Sequence, residues 1–169
     1  VPKNIQAKFE TIRESRQGLY IHGGIGTGKT HIAYALYGNS KEKANLDSRF
    51  WNTTELLREF RLDFDRKPEN KEHEESELFN FRGLLFLDDI GAEKLSDWVL
   101  ETFYLIINKR YNERLPIIFT SNYPVAELAE RIGDRTVSRI VEMCDIFKLD
   151  GKDRRLNATT IKTTNQGEL

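Results

Sequence analysis

Residues 23–30 read Gly-Gly-Ile-Gly-Thr-Gly-Lys-Thr, a glycine-dense run closed by a lysine and a hydroxyl. Neither helix nor strand holds such a run well, so the chain must turn here. Gly23, Gly24, Gly26 and Gly28 admit backbone conformations that a Cβ forbids, and successive N–H groups can then converge on one anion. Lys29 adds a point charge suited to the outer phosphates of a polyphosphate, and the Thr30 hydroxyl suits Mg²⁺. The spacing, a glycine, four residues and Gly-Lys-Thr, is that of a phosphate-binding loop. Gly18 to His22 ahead of it reads as a short buried strand. His31 to Leu36 after it reads as a helix, whose N-terminal dipole would face the same anion.

Residues 83–89, Gly-Leu-Leu-Phe-Leu-Asp-Asp, set the second constraint. An apolar run ending in two acids describes a buried parallel strand whose carboxylates emerge at its C-terminal edge, where ligands sit in open α/β sheets. Two adjacent carboxylates there call for a cation, and a metal–phosphate complex supplies one. Asp88 is accordingly the candidate Mg²⁺ ligand beside Thr30, and Asp89 the candidate acid that orients an attacking water. The plainer alternative is a pair that caps the next helix. Residues 115–122 read as a further buried strand ending beside Asp88. Asn122 could bond that water or the γ-phosphate, or simply form a turn ahead of Tyr123-Pro124.

Ile5, Phe9 and Ile12 recur at helical spacing, which predicts a short amphipathic helix within residues 1–17. The helix after the loop is expected to stop near Gly38-Asn39-Ser40. Ser48 to Asn52 reads as a strand, Thr53 opens a helix carrying Leu56, Leu57, Phe60 and Leu62, and residues 63–77 read as a solvated loop or the start of a surface helix. A long helix is expected from Leu95 to Tyr111, and two more between 126 and 143, where Arg135 and Arg139 share a face. Residues 145–149 read as the last strand, followed by a polar tail from 157. With 169 residues, 38% hydrophobic and 31% charged, the chain suits one soluble domain. A net charge of −1 gives no global basic signal for nucleic acid, and one cysteine excludes an internal disulfide. No apolar run approaches the ~20 residues that span a bilayer, so a cytoplasmic protein with no membrane contact is expected.

Gly-Lys-Thr-His (28–31), Leu-Asp-Asp-Ile-Gly-Ala-Glu (87–93) with Ser96-Asp97-Trp98, Phe-Thr-Ser-Asn (119–122) and Asp-Arg-Thr-Val-Ser-Arg (134–139) together resemble the DnaC/DnaI family of bacterial helicase loaders, within the AAA+ ATPases. The resemblance runs from about residue 18 to 155. It implies an α/β P-loop NTPase of three layers, with a five-stranded parallel sheet in the order 5-1-4-3-2 and a minimal or absent lid. It implies a lead-in over 1–17, an ATPase domain over 18–156 and a tail over 157–169. ATP or ADP with Mg²⁺ would be bound by a Walker A set of Gly23, Gly24, Ile25, Gly26, Thr27, Gly28, Lys29, Thr30 and His31. Asp88 and Asp89 would be the Walker B acids, and Asn122 the sensor-1 residue. Arg139 looks like an arginine finger that completes a neighbouring subunit's site, with Arg135 as the alternative. Arg155 is similar to a sensor-2 arginine, with Arg154 as the alternative. Asp89 stands where many AAA+ proteins carry Glu.

The activity so implied is ATP hydrolysis, slow in the monomer, coupled to homo-oligomer formation and single-stranded DNA binding during replication initiation. The implied partner is a DnaB-type replicative helicase, engaged through an amino-terminal domain without counterpart in these residues. An IstB-type transposition ATPase shares nearly all these motifs. A non-hydrolysing, nucleotide-dependent DNA-binding assembly switch is the alternative of a different class.

Overall fold

The computed structural model describes residues 1–42, 46–65, 80–94 and 96–151. Helices α1 (Lys3–Glu10) and α2 (Ile12–Ser15) lead into β1 (Gly18–Gly23), α3 (Lys29–Glu42), β2 (Ser48–Asn52) and α4 (Thr53–Asp65). There follow β3 (Leu84–Asp88), α5 (Asp97–Asn112), β4 (Ile117–Ser121), α6 (Val125–Ile132), α7 (Asp134–Met143) and β5 (Cys144–Leu149). The five strands pair in parallel in the order β2-β3-β4-β1-β5, which is the expected 5-1-4-3-2 read from the other edge.

Strand side chains alternate between two cores. Leu19, Ile21, Leu84, Phe86 and Ile118 pack with Ile5, Phe9, Ile12, Ala33 and Leu36 of α1 to α3. Tyr20, Leu85, Leu87, Ile117 and Phe119 pack with apolar residues of α4 to α7. This division follows from crossover handedness. The step from β1 to β2 runs toward one edge of the sheet, and every later step runs back, so right-handed connections put α3 on one face and α4 to α7 on the other. The reversal leaves a crevice at the C-terminal ends of the central strands.

Two local expectations change. The amphipathic helix expected within 1–17 is broken at Thr11, whose Oγ1 donates to Lys8 O at 3.0 Å and so competes with the helical ladder. Ile5, Phe9 and Ile12 are buried all the same. Helix α3 runs through Gly38 to Glu42 rather than stopping. Ser40 is fully buried there, and its Oγ lies 2.7 Å from both Tyr37 O and Ser48 Oγ, so the last turn is fastened to β2. That fastening outweighs the roughly 1 kcal/mol penalty of a mid-helix glycine. Helix α4 extends to Asp65, so the first residues of the stretch read as a solvated loop or the start of a surface helix are helical. The rest of that stretch, Leu95, Arg154, Arg155 and the tail lie outside the described residues, as does the Leu62 side chain. Among the described residues no helix is long and apolar enough to cross a membrane.

At the N-terminal edge of the sheet, Arg110 of α5 is buried and ties three segments together. Its Nη1 donates to Phe81 O at 3.1 Å, and its Nη2 donates to Gly83 O and to Pro116 O, the latter at 2.8 Å. Burial pushes its pKa down to about 10, with Glu113 opposing. Arg110→Ala would remove the guanidinium donors from three carbonyls, of which Pro116 O keeps only the longer bond from Leu85 N. It is expected to lower the unfolding free energy by about 3 kcal/mol, read as a fall in the urea midpoint at unchanged slope.

Candidate functional site

The C-terminal strand ends surround one open cleft of about 690 Å³, lined by Ile25, Gly26, Gly28, Lys29, Thr30, His31, Tyr34, Asp89 and Asn122. Its floor begins where β1 ends. A Cβ at Gly23 would lie 2.3 Å from Leu149 O, so only glycine lets β1 pair with β5 up to the mouth of the loop. Gly26 (φ 75°) and Gly28 (φ 95°) then take left-handed conformations that swing the backbone into α3. Thr27 braces this turn, its Oγ1 donating to Gly24 O at 2.9 Å. Lys29 is buried, and its Nζ donates to Gly23 O at 2.9 Å and Gly24 O at 2.8 Å.

Asp88 ends β3 buried, with hydroxyls on every side. Thr30 Oγ1 donates to its Oδ2 at 3.0 Å, and Thr120 Oγ1 donates to its Oδ1 at 2.5 Å. Thr53 Oγ1 donates to its main-chain oxygen at 2.7 Å. One carboxylate thus joins the first turn of α3 to the end of β4, while its carbonyl holds the start of α4. Asp89 leaves the strand at φ 62°, its N–H donating to Thr120 Oγ1 at 2.8 Å. Its Oδ1 accepts from Asn122 Nδ2 at 3.0 Å. Burial first, then the charge of Asp88, raises the Asp89 pKa above the usual carboxylate range, and Lys29 opposes them. The acids do not cap the next helix; Ser96 does, its Oγ accepting from Val99 N at 3.3 Å.

The residues singled out in the sequence are thus largely gathered at one place, with Gly23, Gly24 and Thr27 forming the stem of the loop. Arg135 and Arg139 are not among the residues lining the cleft. Both guanidinium groups lie over Tyr104 of α5, at 5.1 and 5.3 Å from its ring centre, and Arg139 Nε donates to Asn108 Oδ1 at 2.7 Å. Residues not singled out also contribute. Thr120 was legible only as part of the polar end of an apolar run. Glu93 was legible only as the end of the run 87–93 and Arg131 only as one arginine among acids, yet both hold the turn after Asp89: Glu93 Oε2 accepts from Gly91 N at 2.9 Å, and Arg131 Nε donates to Gly91 O at 2.6 Å.

The donor set fits a polyphosphate with Mg²⁺. Asp88 and Thr30 present adjacent hard oxygens, and among the described residues no group of three His, Cys, Asp or Glu side chains could hold a metal by itself. So sparse a set suits Mg²⁺, which keeps waters and takes phosphate oxygens as ligands.

The IstB-like ATP binding protein family matches residues 7–161. The chain belongs to this family. The replicative helicase loader DnaI of Bacillus subtilis (strain 168) is 28% identical over 152 residues, covering 82% of this chain and 48% of DnaI. The insertion sequence IS21 ATP-binding protein of Pseudomonas aeruginosa is 27% identical over 148 residues, covering 85% of this chain and 54% of that protein. A crystal structure of the DnaC helicase loader matches with a TM-score of 0.74 and 30% identity, over 87% of this chain and 89% of that one. The chain spans about half the length of these two curated relatives. The expected kinship with DnaC, DnaI and IstB-type proteins and the AAA+ P-loop fold are both borne out, and the chain carries a helicase-loader-like domain.

Glu93 gives the site a pH signature. Burial, opposed chiefly by its backbone hydrogen bonds, pushes its pKa from 4.5 up to about 7, and Oε1 has no partner among the described residues. A carboxyl with a higher pKa folded than unfolded binds more protons in the folded state between the two values, so its contribution to stability falls as pH rises through that window. Glu93→Gln keeps an acceptor for Gly91 N and removes the titration. Urea unfolding is expected to show the variant losing less stability than wild type as pH rises through the window, and to leave it more stable than wild type above the window by about 2–3 kcal/mol.

Proposed function

We propose that this chain is the ATP-binding and ATP-hydrolysing domain of a DnaC/DnaI-type replicative helicase loader, cytoplasmic and assembling with ATP and single-stranded DNA. The observation that carries this reading is the hydrogen-bonded array of Thr30, Asp88, Thr120, Asp89 and Asn122 beside the Lys29 loop. Such an array serves phosphoryl chemistry, where positioning and charge stabilisation do most of the catalysis.

In this mechanism the loop N–H groups and the first turn of α3 bind the phosphates. Lys29 Nζ, which donates to two loop carbonyls, would turn to phosphate oxygens, and Thr30 Oγ1 and the Asp88 carboxylate would hold Mg²⁺. Bound Mg²⁺ supplies charge neutralisation and a template for the triphosphate. Asn122 fixes Asp89 through Oδ1, leaving Oδ2 to orient the attacking water and take its proton. Arg139, outside its own cleft, is assigned to the neighbouring subunit's γ-phosphate, with Arg135 as the alternative. Arg155 or Arg154, near the end of a domain spanning 18–156, is assigned the sensor-2 role. A DnaB-type helicase is the proposed partner of the whole protein. The match to the IS21 ATP-binding protein favours a second reading, a transposition ATPase. Capture of a transposase rather than a replicative helicase would select it.

Lys29→Ala is expected to abolish the heat of ATP–Mg²⁺ binding in calorimetry. Asp89→Asn is expected to keep that heat and lose turnover by about 10²-fold or more. No heat from wild type would overturn the reading. Arg139→Ala is expected to slow turnover by roughly 10³–10⁵ where wild type oligomerises. Mixing it with Asp89→Asn subunits, which carry an intact Arg139, is expected to restore part of the rate; no recovery removes the assignment in trans.

A further inference from the structure

The turn that carries Asp89 out of β3 combines two left-handed residues, Asp89 at φ 62° and Gly91 at φ 92°. Asp89 has a Cβ, so its conformation persists only where the surroundings over-determine it. Ile90 N donates to Thr120 O at 2.9 Å, and Ser121 Oγ donates to Ile90 O at 2.7 Å. Beyond Ile90 the turn is closed by Ala92 N donating to Asp89 O at 3.4 Å and by two side chains outside the strand pair. Glu93 holds the Gly91 N–H, and Arg131 of α6 holds the Gly91 carbonyl. The Arg131 guanidinium also lies 4.5 Å from the centre of the Tyr123 ring. Tyr123 directly follows Asn122, and its carbonyl accepts from Tyr20 OH at 2.7 Å. Arg131 therefore touches both short segments whose ends meet in the Asn122–Asp89 hydrogen bond, the peptide two residues after Asp89 and the ring one residue after Asn122. Its side chain is not among those lining the cleft.

We propose that Arg131 is a positioning residue that sets the Asp89–Asn122 geometry by clamping Gly91 O to the Tyr123 ring. The proposal rests on the hydrolytic reading given above. Arg suits the task because its planar guanidinium can donate in its plane while stacking on an aromatic face, which an ammonium does less well. Arg131 is only partly buried, so its loss opens no cavity in the core.

The test is steady-state ATP hydrolysis by Arg131→Ala and Arg131→Met, with affinity for a non-hydrolysable ATP analogue measured by calorimetry. The methionine variant keeps an apolar stem over Tyr123 and removes the donor. Both variants are expected to lose kcat by roughly 10- to 10²-fold, with KM and analogue affinity held within about twofold. Because Arg131 acts through Asp89, Arg131→Met in an Asp89→Asn background is expected to leave the residual rate unchanged. A methionine variant with wild-type kcat overturns the proposal whatever the alanine variant does. So does an equal loss in the Asp89→Asn background, or a loss of affinity that matches the loss of rate. Wild type that binds the analogue but never turns over ATP overturns the hydrolytic reading itself, and this proposal with it.

Discussion

Asp88 is where four elements of the structure meet, three of them at its carboxylate and the fourth at its main-chain carbonyl. It is buried at the end of β3, and an ionised group there is costly unless its oxygens are occupied by donors. Thr30 from α3 and Thr120 from β4 occupy them, while Thr53 from α4 takes the carbonyl of the same residue. Each of these hydroxyls lies at an element boundary, so satisfying the acid sets the first turn of α3 and the end of β4 relative to β3, and the carbonyl of the same residue sets the start of α4. The cleft exists because these boundaries coincide.

Asp89 depends on that arrangement. Thr120 donates to Asp88 and accepts from the Asp89 N–H, so one hydroxyl serves both acids. The second acid is then rotated out of the strand and toward Asn122. At the opposite end of the sheet, Arg110 performs a comparable task with reversed polarity, a buried cation surrounded by carbonyls from the segments that start β3 and β4. The central strands are therefore pinned at both ends by a charged side chain with a nearly complete set of partners, and their apolar middles need only pack.

Much of this was legible in the sequence, for identifiable reasons. The loop at 23–30 and the acids at 88–89 are local patterns whose backbone and charge requirements admit few alternatives, and the apolar runs at 84–87 and 117–119 mark strands buried on both faces. Where expectation failed, a remote contact had overridden a local preference. Gly38 reads as a helix stop, yet Ser48, beyond the helix, gives buried Ser40 a partner and the helix continues. Glu93 reads in the sequence only as the end of the run 87–93, and nothing in that run shows that the turn folds it inward, leaves one oxygen without a described partner and raises its pKa.

The amino-acid sequence by itself determined that the chain would hold a phosphate-binding turn, a strand ending in two acids and a sheet of parallel strands. These follow from steric freedom, from side-chain periodicity and from the handedness of crossovers, all of which act over a few residues or a single connection. Only the tertiary structure decided which hydroxyls would satisfy Asp88, that Arg135 and Arg139 would lie together over Tyr104, and that Glu93 and Arg131 would close on Gly91 from either side. The hydroxyl and arginine contacts join segments roughly 30 to 60 positions apart, and the inward turn of Glu93 depends on the packing around it. A hydrogen bond forms only within about 3 Å, a distance that the packed helices and sheet set and that no local pattern encodes.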